Sequence, residues 1–427
     1  MVGSCRFVVF LSLFNSLVFS CTNKNESEQL GKIIETINYE AVIEANNKFT
    51  VDLHKALRND EKFAGKNLFY SPSSLSIALA MTSLGARENT AVQMAKALHW
   101  DTMPKEQLHS EEKQFLEALQ ASNTDSNELL AANRLFVQKN FSLVQQFVEG
   151  TKTFYDAEIA LVDYQKDTEG ARKEVNDWVE EKTKQKIKNL IPKGVFGKTT
   201  RLTLVNAIYF KGFWQNQFHK KATRKRKFFV SKTETVRVQM MRVTKKFKHA
   251  KDDGELACQI LELPYQGEDL SMVILLPHDN HGLAKLEEGL TYDKLQKALA
   301  VVSQSRPHNV MVSLPRFKLT QQFKLNKILK AMGATDMFDE YKANFSGMYV
   351  SRGPEKLYVT NVIHKAFVKV NEKGTEAAAA SAVVMALNSS RPLVPTFYVD
   401  HPFLFMICHK KSSAILFMGR VVKPETK

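Results

Sequence analysis

The chain of 427 residues is 44% apolar and 25% charged, a balance that excludes a disordered tail or a disulfide-built miniprotein and leaves material for a large core. Its 60 Lys and Arg exceed its 45 Asp and Glu, for a formal charge of +15, which admits a polyanionic partner without identifying one.

At the start, Arg6 precedes the apolar run Phe7 to Phe19, and Val18 and Ser20 stand where a signal peptidase needs small residues. Residues 1–20 are therefore expected to be a secretory signal, and the protein to be secreted and extracellular. The run is shorter than the roughly 20 apolar residues that span a bilayer. Residues 21–40 read as a polar lead, and 41–427 as a single domain, because no Gly/Ser-rich or Pro-rich linker interrupts them. Removing the signal leaves Cys21, Cys258 and Cys408, an odd set without paired spacing, so buried free thiols are expected at Cys258 and Cys408. With no CxxC and no HExxH, no metal, cofactor or catalytic group is expected.

Helical periodicity predicts elements over Tyr39 to Arg58, Pro72 to Gly85, Thr90 to Leu98, Glu111 to Ala121 and Lys166 to Lys186, with Ser71 as a cap ahead of a first-turn Pro72. Strand patterns follow at Leu202 to Phe210, Thr235 to Met241, Cys258 to Pro264, Ser271 to Leu276, Val310 to Leu314, Ala366 to Val370 and Phe403 to Ile407. Helices early, strands late and no regular alternation predict an α+β fold with large antiparallel or mixed sheets.

Residues 219–251 concentrate the positive charge, with thirteen Lys and Arg against Glu234 alone. A solvated face competes here with a surface for a heparin-like polysaccharide or anionic lipid, for which the candidates are Lys220, Lys221, Arg224, Lys225, Arg226, Lys227, Lys245, Lys246 and Lys248. Secretion argues against nucleic acid as the partner.

Between Ala366 to Val370 and Phe403 to Ile407 lies a stretch of small residues that begins Glu372-Lys373-Gly374-Thr375-Glu376-Ala377-Ala378-Ala379-Ala380. Gly374 permits a hinge. At strand period Thr375, Ala377, Ala379, Ser381, Val383 and Met385 share one face and could enter a core, while Glu376 would face water. An alanine-rich helix or a linker is the competing reading on propensity alone.

These residues resemble the proximal hinge of inhibitory serpins, and residues 397–407, FYVDHPFLFMI, resemble the segment beyond their reactive loop. Residues 67–86, 204–214 and 415–421 are similar to further serpin segments in serpin order. The resemblance implies three β-sheets with eight or nine helices, and a reactive loop at about residues 372–396. It implies a suicide inhibitor, whose covalent complex with a serine protease is trapped when the cut loop inserts into the main sheet. A non-inhibitory carrier or chaperone of the same family is the alternative.

Residue by residue, Ser71, Ser74, Asn206 and His364 match the family's polar cluster beneath the opening of the main sheet, and Trp214 the tryptophan where insertion begins. Glu372 matches the hinge glutamate, with Arg316 as its basic partner, and Thr375 is uncharged, as inhibitors require. Counted along the family's loop from Glu372, the reactive bond falls at Asn388 and Ser389, which departs from the family's usual residues. Leu387 would suit a chymotrypsin-like or elastase-like enzyme. Arg391 would suit a trypsin-like one but precedes Pro392. The basic block together with the signal is similar to anticoagulant serpins from the saliva of blood-feeding arthropods, which implies a coagulation protease such as factor Xa and a heparin-like glycosaminoglycan as modulator. A monomer is expected.

Sequons at Asn25, Asn140 and Asn344 are candidate glycan sites, and a fourth coincides with Asn388. A glycan on Asn388 would obstruct attack, so inhibitory material is expected to carry none there; glycan mass on its loop peptide would contradict this.

Overall fold

The computed structural model describes residues 39–350, 354–375 and 394–425. The signal, most of the lead segment, Asn25, Glu376, Ala377, Ala378, Ala379, Ala380, Leu387, Asn388, Ser389 and Arg391 lie outside the described residues.

Nine α-helices are found among these residues: α1 (Glu40–Asn59), α2 (Pro72–Ser83), α3 (Glu88–Ala97), α4 (Lys105–Ala121), α5 (Gln145–Tyr155), α6 (Thr168–Lys182), α7 (Leu283–Gly289), α8 (Tyr292–Gln304) and α9 (Asn326–Ala331). The amphipathic α1 buries Val42, Phe49, Leu53 and Leu57. Glu40, the last residue of the expected lead, is already helical. Helix α2 is buried on every side, starts with Pro72 in its first turn, and is capped by the Ser71 hydroxyl, which accepts from the Ser74 N–H at 3.2 Å. A helix apolar all round belongs inside a large core, and this one runs beneath the main sheet.

The strands are β1 (Leu68–Tyr70), β2 (Asn127–Gln138), β3 (Ser142–Leu143), β4 (Ile159–Val162), β5 (Leu202–Phe213), β6 (Arg224–Phe229), β7 (Thr235–Asp252), β8 (Cys258–Pro264), β9 (Leu270–Pro277), β10 (His308–Pro315), β11 (Phe317–Lys324), β12 (Tyr349–Val350), β13 (Val359–Asn371), β14 (Gly374–Thr375), β15 (Thr396–Tyr398), β16 (Phe403–His409) and β17 (Ala414–Val421). The main sheet has the order β11-β13-β14-β5-β2-β4. The other large assembly divides at the long β7, which pairs through Lys248 to Asp252 with β8 and through Met240 to Phe247 with β10, so that three sheets result. A two-residue pair of β3 with β12 stands apart.

Both faces of the main sheet are covered. Along β5, Leu202, Leu204, Ile208 and Phe210 enter the large core shared with α1 and α2, while Val205, Ala207 and Tyr209 face a smaller core built with Val175 and Val179 of α6. The strands β16 and β17 are wholly buried, and Phe69 stacks on Phe405 and Phe417 at 5.8 and 5.3 Å.

The α+β class holds. The division into early helices and late strands holds only in part: β2 and β4 lie in the first half, and α7 and α8 interrupt the second. No described helix is long and apolar enough to cross a membrane. Cys258 and Cys408 are buried free thiols, and burial pushes each up to about 12.

Candidate functional site

The main sheet is incomplete at its centre. Strands β13 and β5 pair with each other in parallel from Val359 and Leu202 up to Phe367 and Tyr209, but at the top they separate and β14 stands between them. This wedge is two residues long and antiparallel to both neighbours: Thr375 lies opposite Val370 and Gly212, and Gly374 opposite Asn371 and Phe213. Only glycine fits at 374, because a Cβ there would lie 1.9 Å from the Gly212 carbonyl oxygen. Thr375 is fully buried, and its hydroxyl hydrogen-bonds the Tyr265 hydroxyl at 2.8 Å.

Around the wedge the chain is held by main-chain bonds. The Trp214 N–H donates to the Lys373 carbonyl at 2.8 Å, its indole N–H donates to the Asn371 carbonyl at 2.9 Å, and the ring stacks on Tyr265 at 4.6 Å. The Phe218 N–H donates to the Glu372 carbonyl at 2.8 Å. The Glu372 carboxylate accepts from Arg316 Nε at 2.9 and 3.0 Å, from a second Arg316 nitrogen, and from the Thr223 hydroxyl. Burial pushes this carboxyl up, but the hydrogen bonds from Arg316 and Thr223 outweigh burial and hold it below the ordinary glutamate value. Arg316 remains 37% exposed, so solvent screens the pair and its worth is modest.

Below the wedge, a polar row crosses three strands. Register puts Asn133 of β2 beside Asn206 of β5, and Asn206 beside His364 of β13. Asn206 shares the core-facing side of β5, where an amide must find partners. Its side-chain N–H groups donate to the Ser74 carbonyl at 2.8 Å and to Asn133 Oδ1, and its Oδ1 bonds His364 Nδ1. His364 Nε2 accepts from the Ser71 N–H at 3.1 Å, so the proton of the neutral ring sits on Nδ1 and is donated to Asn206. The Ser71 hydroxyl donates to the Leu416 carbonyl at 2.6 Å. With both ring nitrogens committed in a fully buried site, burial lowers His364 to about 3. The His364 to Asn206 bond crosses the seam that any strand extending β14 would have to part.

Ser71, Ser74, Asn206, Trp214, Arg316, His364, Glu372, Gly374 and Thr375, named in the sequence mainly through the family resemblance, lie along one seam of the structure. Sequence reasoning missed Asn133, Thr223 and Tyr265. Asn133 lies in an unremarked Ala-Ala-Asn-Arg-Leu run, and only cross-strand register reveals its neighbour.

The basic candidates do not form one set. Lys220 and Lys221 stand on a single turn of 3₁₀ helix, and Arg224, Lys225, Arg226 and Lys227 are the exposed first four residues of β6, an edge strand paired only with β7. Lys245 and Lys246 are exposed farther along β7. Lys248 is engaged by the Ser303 carbonyl and by Glu262 at 3.9 Å. Of the sequons, Asn140 is exposed with its amide donating to Glu355 at 2.9 Å, whereas Asn344 is half-buried and accepts from the Ser346 N–H at 3.1 Å.

The family described as "Serpin (serine protease inhibitor)" matches residues 44–424. The chain is 44% identical over 395 residues to the leukocyte elastase inhibitor of Equus caballus, covering 89% of this chain and 98% of that protein. Among solved structures it resembles uncleaved ovalbumin, with a TM-score of 0.80 and 30% identity over 90% of this chain and all of that one. Human thyroxine-binding globulin complexed with its hormone gives a TM-score of 0.81 at 29% identity, over 92% of this chain and all of that one.

The row's histidine predicts a pH dependence. The native state excludes a proton that an unfolded His364 binds near pH 6.5. Its stabilising contribution is therefore complete above about pH 6.5 and is lost as pH falls from there toward 3, by about 1.4 kcal/mol per unit. His109, lowered by burial to about 3, adds in the same direction. The melting temperature of uncleaved protein should fall between pH 7 and pH 5, and His364→Gln should flatten that slope. Equal slopes would remove His364 from the account.

Proposed function

Because this chain belongs to the serpin family, we propose that it inhibits a serine protease as a suicide substrate, trapping the enzyme by inserting its own cut loop as a strand of the main sheet. The two-residue wedge carries the reading. Continuing its register, Glu376 falls between Lys211 and Lys369, Ser381 between Asn206 and His364, Met385 opposite Leu202, and Ala386 opposite Val359. The segment from Thr375 to Ala386 therefore matches the length of the seam, and Leu387 and Asn388 fall just past its lower end.

Side-chain chemistry agrees with that register. Thr375, Ala377, Ala379, Ser381, Val383 and Met385 would face the large core, all of them uncharged. Ser381 meets the Asn206 and His364 side chains, whose mutual bond the strand breaks, and its hydroxyl can serve either partner. On the other face Glu376 meets two lysines.

The chemistry belongs to the protease. Its serine attacks the carbonyl of the reactive residue, the amine of the next residue leaves, and an ester joins the protease to the loop. Asn388 followed by Ser389 is the assigned bond, with Leu387 the neighbouring choice. The name of the horse relative, an elastase inhibitor, supports an elastase-like or chymotrypsin-like target over factor Xa. Insertion gives up one parallel ladder and forms two antiparallel ones, a net gain on the order of ten backbone hydrogen bonds at about 1 kcal/mol each. It carries the acylated residue from one end of the sheet to the other.

Secretion and a polyanionic modulator are finer proposals. They are supported by residues 1–20 and by the exposed cations Arg224 to Lys227, none of which forms an ion pair with a described residue.

Incubation with elastase or chymotrypsin should give an SDS-resistant complex, and protein cut in the loop should melt well above the intact form. Thr375→Arg places a charge at the buried Tyr265 contact and should turn the inhibitor into a substrate that is cleaved without complex. Clean cleavage of the unsubstituted protein, with no rise in melting temperature, would overturn the proposal and favour a carrier.

A further inference from the structure

A cleft of about 460 Å³ lies beside the wedge, and its charge is unbalanced. Lys220, Arg316, Lys318, Lys369 and Lys373 line it, and among the described residues Glu372 is its single acid, already held by Arg316 and Thr223. The four lysines make no ion pair with any described residue. Two features set them apart from an ordinary solvated face. Lys318 and Lys369 stand directly opposite each other on β11 and β13, the arrangement in which like charges repel. Lys373 is only 8% exposed, lines the same cleft, and has no acidic partner among the described residues. An anion between them would relieve the repulsion and pair the uncompensated charge. A concave wall of one sign also focuses its field on such a ligand.

From this we propose that the cleft is a binding site for a compact multivalent oxyanion, a small frame bearing clustered phosphate or sulfate groups. Lys318, Lys369 and Lys373 are its principal ligands, with Lys220 and Arg316 at the margin. The site is distinct from the β6 cations, and its occupancy depends on the state of the loop. This last part rests on the insertion reading: Glu376 would enter beside Lys369, so the inserted strand brings its own carboxylate to the cleft and competes with the ligand.

Titration calorimetry with inositol hexakisphosphate and, separately, with a heparin-derived tetrasaccharide tests the site on uncleaved protein, and the tighter of the two identifies phosphate or sulfate as the group preferred. One-to-one binding that weakens at least tenfold in Lys318→Gln/Lys369→Gln, and by less than twofold in Arg226→Gln/Lys227→Gln, is the expected result. Removing the facing charges should leave the ligand-free variant melting no lower than the unsubstituted protein. Absence of binding to either probe, or equal losses in the two double variants, would overturn the site. Protein cut in the loop and melting higher than intact should bind at least tenfold more weakly; unchanged affinity there would overturn the competition. The site is judged on uncleaved protein alone, so a failure of loop insertion is told apart from a failure of the cleft.

Discussion

The parallel contact between β13 and β5 is the constraint on which the rest of this structure depends. Two long strands, β5 buried on both faces and β13 on one with its other face partly covered, meet in the middle of the main sheet in the geometry that is slightly less stable per residue. A chain running antiparallel between them would satisfy both. The molecule holds such a chain at the top of the seam as Gly374 and Thr375, and sequence shows small residues able to continue it. If the chain inserts its cut loop as proposed, the arrangement has a better-bonded alternative, and a barrier rather than a deep minimum preserves it.

The polar row supplies part of that barrier. Asn133, Asn206 and His364 join β2, β5 and β13, and Ser71 and Ser74 tie the same groups to the start of α2. Opening the seam breaks the Asn206 to His364 bond in a buried site, where an unpaired amide or imidazole costs more than a hydrogen bond returns in solution. An apolar row of the same shape would part more easily and would also accept a strand in any register. A polar row rewards only a strand that brings a hydroxyl to this level, as Ser381 does in the register set by the wedge. Gatekeeping and register selection thus fall to the same side chains.

Much of this was legible in sequence because the informative elements are those whose residues have little choice. Cys258–Pro264 matches its strand to the residue, and Pro72 behind Ser71 marks the start of α2, since apolar alternation and a capped first-turn proline each admit one structure. The illegible elements are decided by neighbours. Asn127–Gln138 is rich in Ala and Leu and has no strand signature of its own; it is a strand because β5 and β4 flank it. Arg224–Phe229 opens with four cations that conceal any alternation. For the site, Glu372 and Thr375 were visible through the resemblance to the family's hinge, but the pairing of Lys318 with Lys369 is a matter of register between segments some fifty residues apart, which no local pattern encodes.

The positive charge illustrates why composition and location must be argued separately. The densest run, Arg224 to Lys227, lies on an edge strand, where charged side chains have a purpose independent of any ligand: they deny an exposed ladder to a second chain. If the loop inserts as proposed, protected edges matter more, because the main sheet could then accept a strand from another molecule. The lysines at the hinge are sparser: Lys318 also stands on an edge strand, where charge has the same use, but Lys369 lies on β13 inside the sheet and Lys373 is buried rather than displayed. Charge density therefore points to β6, whereas the facing pair Lys318 and Lys369 and the burial of Lys373 point to the cleft, where the proposed anion would offset them.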